Sequence, residues 1–192
     1  FKNIVYIIFT GLIVFLSIRT IKRNIDWQNQ DNLWLAAAKT SPSSAQNHNN
    51  LGDLYGRRDD LNKAAEEFNK AIELLPNYAD AYHNIANTYH ELGDDTKALE
   101  NYMKASQLNP KFWQSFQNIA ALYYQQQKYD LALEDIQKAV QINPKNINLW
   151  ANLGLVYMSL GDKDKAKEVF TQVLAQDPQN PMANQVMMEL NK

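Results

Sequence analysis

The sequence contains no cysteine, which excludes disulfide bonds, thiolate metal sites and thiol catalysis. It contains only six glycines, and most of them stand where a turn or a close helix contact would require one, so no glycine-rich phosphate-binding loop is available. Ser, His and Asp residues do not occur in a context that indicates nucleophilic catalysis. We therefore expect this chain to be neither an enzyme nor a holder of a cofactor.

Acidic residues are missing from the start of the chain, where Asp26 is the first. Residues 1–23 hold four of the nineteen Lys and Arg and none of the twenty-one Asp and Glu, which leaves the rest of the chain with a net charge of −6. Nucleic-acid binding requires clustered positive charge on one face. We therefore expect no nucleic-acid partner.

Prolines are also few, but five of the six are evenly spaced. They lie 34 residues apart, at Pro42, Pro76, Pro110, Pro144 and Pro178. A fixed period of this length, without insertion, indicates one small structural unit that is copied along the chain. Such a chain is expected to form a stack of units, which offers a partner a long surface rather than a closed catalytic pocket.

Other residue types repeat with the same period and predict what each unit looks like. In the first full unit, residues 48, 51, 52 and 55 fall on one face of a helix, and residues 61, 64, 65, 68, 71 and 72 fall on one face of a second helix. Proline follows the second helix and ends it. Small residues recur where two helices would meet, at Gly52, Ala86, Ala120 and Gly154, and again at Ala64, Ala98, Ala132 and Ala166.

This pattern of aromatic, small and proline positions resembles the tetratricopeptide repeat family. Four full copies fit residues 45–78, 79–112, 113–146 and 147–180. The departures are mild, since His48 replaces an aromatic, Ile136 a Phe and Val173 a small Ala. The resemblance implies an all-α fold, a right-handed α-solenoid of helix pairs.

Partial units flank the four copies. Trp34, Ala37 and Pro42 keep the period one unit earlier, so residues 24–44 are predicted to be a partial repeat with only its second helix. Residues 181–192 are predicted to form a capping helix, whose apolar residues would cover the open edge of the last repeat.

The first segment predicts a membrane anchor. Residues 4–18 carry no charge and reach about 22 Å as a helix, and flanking residues with snorkelling Lys2 and Arg19 extend them toward the roughly 30 Å of a bilayer core. We therefore predict a transmembrane helix and a basic juxtamembrane segment over residues 1–23. A buried core helix and a signal peptide are alternatives, but basic residues rather than a cleavage site follow the apolar run.

The side of the membrane on which the repeats lie stays open. Arg19, Lys22 and Arg23 follow the apolar run, which by the positive-inside rule favours a cytoplasmic location. In contrast, residues 19–27 with Leu33 and Trp34 resemble the junction in transmembrane O-mannosyltransferase-like proteins, which carry tetratricopeptide tails on the non-cytoplasmic side. This resemblance implies that the chain is the tail of a larger membrane protein.

In the family, the first helix of each pair lines a concave groove, and this implies where a ligand binds. One position holds Asn in all four copies, at Asn50, Asn84, Asn118 and Asn152. Such amides can both donate and accept hydrogen bonds along the backbone of an extended peptide, although they could equally fix helix packing. The candidate peptide-binding residues are Asn49, Asn50, Asp53, His83, Asn84, Asn87, His90, Gln117, Asn118, Tyr124 and Asn152.

The predicted groove residues also say which ligands fit. The inward positions include no Lys or Arg, so a clamp for an acidic C-terminus is not expected. The groove changes from amides and imidazoles in the early copies to Tyr124, Leu155 and Met158 in the later ones, which favours a ligand that is polar at one end and apolar at the other. His83 and His90 would lie roughly 10 Å apart along a helix, too far to share one metal ion.

Together these observations predict a membrane-anchored scaffold that binds a protein or an extended peptide in its groove. The alternative is the non-catalytic tail of a multi-spanning membrane glycosyltransferase, recruiting its acceptor protein. The sequence leaves the partner's identity and the oligomeric state open.

Overall fold

The computed structural model describes residues 2–26 and 30–190, and every element in these two ranges is a helix. The chain divides into two compact units, Phe1–Pro76 and Asn77–Lys192. The helices are α1 (Lys2–Asp26), α2 (Gln30–Thr40), α3 (Ala45–Arg57), α4 (Leu61–Leu74), α5 (Ala79–Glu91), α6 (Asp95–Leu108), α7 (Trp113–Gln125), α8 (Tyr129–Ile142), α9 (Ile147–Ser159), α10 (Lys163–Gln176) and α11 (Pro181–Leu190).

The first unit is built around the pair α3 and α4, with α2 packed against α3. Its buried centre contains Leu54, Ala64, Phe68 and Ala71. Gly52 on α3 lies directly against the ring of Phe68, because a Cβ atom added there would come within 2.6 Å of that ring. The small residue expected at this helix crossing is therefore required by the packing.

The second unit stacks three helix pairs, α5–α6, α7–α8 and α9–α10, and ends with α11. Consecutive helices contact one another throughout, so each pair packs on the next. Ala98, Ala132 and Ala166 are fully buried, as the spacing predicted for residues where helices meet. The prediction of an all-helical repeat fold is confirmed.

The turn inside each pair repeats in its backbone as well as in its sequence. One residue per turn adopts a left-handed conformation, and these residues are again 34 positions apart: Asp59 (φ 61°), Gly93 (φ 80°), Gln127 (φ 58°) and Gly161 (φ 78°). Glycine adopts this conformation without steric cost, whereas other residues do not. The same turn is therefore made from two kinds of residue.

The N-terminal segment folds as the long helix α1, but the transmembrane prediction is not supported. Within residues 2–26 and 30–190, the chain has no helix with the length and apolarity needed to cross a bilayer. Phe1 of the predicted anchor, Trp27 of the predicted junction and residues 191–192 of the predicted capping segment lie outside the described residues.

Candidate functional site

The predicted groove residues of the first unit occupy different environments on α3. Asn49 is buried, with 7% of its surface exposed. Asn50 is half-buried, and its Oδ1 accepts a hydrogen bond from Gln46 Nε2 at 3.1 Å. Asp53 is exposed and pairs with Arg57 one turn later at 3.2 Å. Burial leaves little of Asn49 for a ligand to contact, and its place among the groove residues stays a prediction.

His83 is the second predicted groove residue that the structure buries, with 9% exposed. Its Nδ1 lies 2.9 Å from Ser115 Oγ on α7, and its ring packs against Phe112 and Tyr102 with centroid distances of 4.6 and 5.4 Å. Burial lowers the pKa of His83 to about 4, so the ring is neutral at pH 7. The imidazole joins α5 to its neighbours instead of facing the groove.

A hydrogen-bonded network joins the first three helices of the second unit. Tyr102 Oη on α6 donates to Asn87 Oδ1 on α5 at 2.5 Å, and Asn118 Nδ2 on α7 donates to the same oxygen at 3.1 Å. Burial raises the pKa of Tyr102 to about 12, so its hydroxyl stays protonated and able to donate. One amide of the Asn series, Asn118, therefore bonds to a neighbouring helix, as the packing alternative proposed.

Beside this network lies an open-sided polar pocket of about 200 Å³. Amide, carboxylate and imidazole groups line it together with the Tyr102 hydroxyl. His90 is exposed, and its Nδ1 lies 2.6 Å from Asp95 Oδ1. The lining residues are Asn87, His90, Glu91, Tyr102, Asn118, Ala121, Leu122 and Gln125.

A second pocket, of about 180 Å³, lies between α7 and α9 and is mainly apolar. Positions that carry polar side chains in the first pocket are apolar in this one. Ile136 has the position that Tyr102 has one repeat earlier, and Ala121 and Leu155 have the position of Asn87 in the next two repeats. Tyr124 is held in place, since its Oη accepts from Ser159 Oγ at 2.8 Å. The lining residues are Gln117, Ala120, Ala121, Tyr124, Gln125, Ile136, Asn152, Leu155 and Val156.

The two pockets adjoin, because Ala121 and Gln125 of α7 line both. We call this continuous surface of the second unit the groove. It brings together six of the predicted residues: Asn87, His90 and Asn118 at the polar end, and Gln117, Tyr124 and Asn152 at the apolar end. Asn84 is half-buried on α5 and lines neither pocket.

Sequence reasoning missed several groove residues. Gln125 lies in the last turn of α7, beyond the inward positions that the family pattern names, although its spacing from Ala121 places both on one helix face. Glu91 ends α5 in the same way. Ile136 contributes from a second helix, which sequence reasoning treated only as a packing position.

The groove presents several kinds of hydrogen-bonding group. Its donors and acceptors are amides, hydroxyls, one imidazole and the carboxylate of Glu91, and neither pocket is lined by a Lys or an Arg. In the described ranges, no three His, Asp or Glu side chains come together as metal ligands.

Comparisons with known proteins agree with this architecture. Three family models match the chain: a TPR repeat model at residues 57–93, a tetratricopeptide repeat model at residues 79–112, which overlaps the first, and another tetratricopeptide repeat model at residues 119–191.

Two curated relatives match part of the chain. Protein O-mannosyl-transferase Tmtc2 of Drosophila melanogaster is 30% identical over 76 residues, which is 40% of this chain and 8% of the relative. Protein O-mannosyl-transferase tmtc2 of Xenopus laevis is 30% identical over 71 residues, 37% of this chain and 8% of that relative. The match thus spans less than a tenth of the length of these curated relatives.

Solved structures share the fold over most of the chain. YrrB, described as a TPR protein with an unusual peptide-binding site, superposes with a TM-score of 0.71 at 24% identity, covering 78% of this chain and 77% of its own. MamA gives a TM-score of 0.69 at 22% identity, with coverages of 87% and 92%. The pilF protein of Pseudomonas aeruginosa gives 0.66 at 26% identity, with coverages of 76% and 67%. The chain is therefore a tetratricopeptide repeat protein, and part of it resembles a segment of the Tmtc2 O-mannosyl-transferases.

Proposed function

We propose that this chain is a non-catalytic scaffold that binds an extended segment of another protein in the groove of its second unit. One observation carries the proposal: a polar pocket and an apolar pocket adjoin on the same helices and share Ala121 and Gln125. A single extended segment can contact both pockets, because extended chain rises about 3.3 Å per residue and a few residues span two adjoining pockets.

The two ends of the groove select different parts of the ligand. At the polar end, the amides of Asn87, Asn118 and Gln125 can bond to a peptide backbone or to polar side chains. At the apolar end, Ile136, Leu155 and Val156 can bury one aliphatic side chain of the ligand. The ligand therefore has polar residues followed or preceded by an apolar anchor.

Charge also selects the ligand. Glu91 lines the polar end, and no cationic Lys or Arg side chain lines either pocket. A ligand carboxylate would lose hydration at this surface without gaining a cationic partner. Segments that end in a free acidic C-terminus are therefore disfavoured.

The test is a peptide array probed with the full chain, followed by affinity measurements on the best peptides by titration calorimetry. Asn118→Ala with Asn152→Ala should weaken binding about tenfold with the fold intact, and Leu155→Gln should weaken peptides with an apolar anchor most. Asn101→Ala on α6 is the matched control, since Asn101 lines neither pocket and its Nδ2 bonds only to Lys97 O within its own helix. Unchanged affinity in the double variant would show that the repeated asparagines serve helix packing and not ligand binding. A preference for free acidic C-termini would refute the proposed ligand.

A second candidate function is the non-catalytic tail of a multi-spanning membrane glycosyltransferase that recruits its acceptor protein. The partial match to the Tmtc2 O-mannosyl-transferases favours it. It is tested by recovering the complete reading frame. An upstream region that encodes many membrane spans would support the candidate, and a reading frame with a single apolar segment would contradict it.

We further propose that α1 attaches the chain to a membrane. Consecutive apolar residues on α1 are about half exposed on all sides of the helix, so lipid contact would remove them from water: Leu12, Ile13, Val14, Phe15, Leu16 and Ile18. Flotation of the full chain with phosphatidylcholine vesicles tests this. Ile13→Asp with Leu16→Asp should abolish flotation, and equal flotation of this variant would refute the attachment.

The side of the membrane on which the repeats lie is a separate proposal, and we place them on the non-cytoplasmic side. The resemblance of residues 19–27 to the junction in transmembrane O-mannosyltransferase-like proteins favours this side, whereas Arg19, Lys22 and Arg23 favour the opposite one. Protease protection of sealed microsomes decides between them, since only cytoplasmic repeats would be digested without detergent.

A further inference from the structure

Three of the four repeats close the turn between their helices with the same pair of side chains, which we call the turn lock. An Asp caps the second helix, and a Lys three residues later returns to that Asp while its ammonium covers the ring of a Tyr on the first helix. The three locks are Asp60–Lys63 over Tyr55 (5.4 Å to the ring centroid), Asp94–Lys97 over Tyr89 (5.1 Å) and Asp162–Lys165 over Tyr157 (5.3 Å).

The third repeat lacks the turn lock. Lys128 stands at the cap position of α8 and makes no side-chain cap hydrogen bond, and its Nζ donates instead to Gln126 Oε1 at 2.9 Å. Leu131 stands where the other repeats have Lys, and it is 44% exposed. The ring of Tyr123 therefore has a leucine beside it where the equivalent tyrosines have an ammonium group.

A second contact, a hydrogen bond to the tyrosine hydroxyl, is also missing at Tyr123. In the following repeat, Gln137 Nε2 donates to Tyr157 Oη at 3.0 Å and holds that tyrosine against the preceding pair. The equivalent of Gln137 is Met103, which has no amide to offer Tyr123 and is 41% exposed. Leu131 in place of a lysine and Met103 in place of a glutamine thus leave two apolar side chains exposed to water on one surface.

These residues surround an open-sided pocket of about 390 Å³ on α6, α7 and α8, which we call the α6–α8 pocket. It shares no lining residue with the groove. Its lining is Met103, Ser106, Gln107, Phe116, Ile119, Tyr123, Leu131, Glu134, Asp135 and Lys138.

The charges in the α6–α8 pocket are unbalanced. Lys138 Nζ bonds to Glu134 Oε1 at 2.7 Å and to Asp135 Oδ1 at 3.3 Å, and it also lies 5.7 Å from the ring of Phe116. One ammonium group thus serves two carboxylates. Burial raises the pKa of Asp135 although Lys138 opposes the shift, so its charged form is under-stabilised and a further cation would be favourable.

We propose that the α6–α8 pocket docks a segment of another protein that inserts an apolar side chain between Met103 and Leu131 and places a Lys or Arg beside Asp135. The apolar side chain removes the exposed methionine and leucine from water. The cation supplies the charge that Lys138 alone does not. This binding surface is separate from the groove and independent of the function proposed for the groove.

The experiment uses the labelled full chain and an array of acetylated decapeptides with a central Leu flanked in turn by Lys, Glu or Ser. We expect binding to require the Leu and to be about tenfold stronger with Lys than with Glu. The test variant combines Met103→Gln, Lys128→Asp and Leu131→Lys, which introduces around Tyr123 the side chains that Gln137, Asp162 and Lys165 supply around Tyr157, and it should fold at least as stably as the parent. It should lose the Leu-dependent signal.

Two further variants complete the design. Asp135→Asn should keep the Leu requirement and lose the preference for Lys, while the groove variant Asn118→Ala with Asn152→Ala should leave both unchanged. Circular dichroism and melting of each variant verify folding. An array without Leu-dependent signal, equal binding by the triple variant, or indifference to the flanking charge would each overturn the proposal, as would loss of the signal in the groove variant.

Discussion

The imidazole of His48 lies 2.6 Å from the carboxylate of Glu67, and both side chains are 13% exposed. The other ring nitrogen, Nε2, lies 2.8 Å from the carbonyl oxygen of Pro42. In the fourth repeat Trp150 occupies the position of His48, and its Nε1 donates to the carbonyl oxygen of Pro144 at 2.8 Å. His48 thus bridges the carboxylate of Glu67 on α4 and the backbone just before α3.

Glu67→Gln should therefore destabilise the first unit. Burial opposes ionisation of Glu67, but hydrogen bonds from His48 and Lys70 outweigh it and lower the pKa of Glu67. A lowered carboxyl pKa contributes stability above the unfolded-state value, and this contribution is lost as the pH falls through the folded-state value. We expect a loss of about 1–2 kcal/mol at pH 7 that shrinks below pH about 4, measured by urea denaturation.

Glu66→Gln is the matched control for that variant, because Glu66 also bonds to Lys70 but is exposed. Its cost should stay below about 0.5 kcal/mol. Equal costs for the two variants would show that the contact between His48 and Glu67 contributes nothing.

His83→Asn should remove a source of acid sensitivity from the second unit. The pKa of His83 is lowered to about 4 by burial, so the unfolded chain binds a proton more readily than the folded one between that value and 6.5. The contribution of His83 to the free energy of unfolding is complete above pH 6.5 and falls as the pH drops toward 4. Wild type should lose about 2 kcal/mol more between pH 7 and 5 than the variant, by urea denaturation. A slope of the His83→Asn variant equal to that of wild type would exclude His83 as the source.

Gly52→Ala and Gly56→Ala should shift stability in opposite directions, although both glycines lie in α3. A Cβ at residue 52 would lie 2.6 Å from the Phe68 ring, whereas a Cβ at residue 56 meets nothing within 4 Å. We expect Gly52→Ala to cost about 1–2 kcal/mol by overpacking, at the low end because Ala86 and Ala120 are accepted at this position in other repeats. Gly56→Ala should gain up to about 1 kcal/mol by reducing the freedom of the unfolded chain. Melting curves that move the same way for both would contradict the close contact.

Tyr102→Phe should destabilise the second unit by about 1 kcal/mol, because it removes the donor to Asn87 Oδ1 from a largely buried network. Phe itself fits the position, since Phe68 and Phe170 occupy it in the first and fourth repeats. A double-mutant cycle with Asn87→Ala isolates the hydrogen bond, and we expect a coupling of about 0.5–1.5 kcal/mol. Additive effects of the two changes would show that the residues do not cooperate.

Gln127→Gly should stabilise the third repeat by roughly 1 kcal/mol, because Gln127 holds a left-handed φ of 58° that glycine adopts without a steric cost. Gly161→Gln places the reverse change at the same turn of the fourth repeat, where φ is 78°. It should destabilise by a similar amount. Thermal melts that show no change for either variant would refute the strain at this turn.

The spacing of small and apolar residues was enough to predict the helix pairs. Ala98 and Ala132 repeat at 34-residue intervals, and both are fully buried where the pattern required a small side chain. Helical periodicity is a local property, because residues three and four positions apart always share a face. The same spacing carries no information about the segment before the repeats, and among the described residues no helix suited to crossing a membrane is found.

The candidate site could be predicted only in part. His83 and Gln117 hold equivalent positions, yet His83 is buried and Gln117 lines the apolar pocket, because Phe112 and Tyr102 enclose only the histidine. The absence of the turn lock from the third repeat is visible in the sequence, because Leu131 stands where the other repeats have Lys63, Lys97 and Lys165. Only the structure shows that Leu131 lines a pocket formed by α6, α7 and α8.

The amino-acid sequence by itself determined that this protein is a series of helix pairs, since the pattern of each pair is written within about 34 residues and needs no distant partner. Only the tertiary structure decided which polar side chains bond to one another and which line the groove. Asn118 reaches Asn87, 31 positions earlier, only because α5 and α7 lie side by side, and no local periodicity specifies where two such amides point.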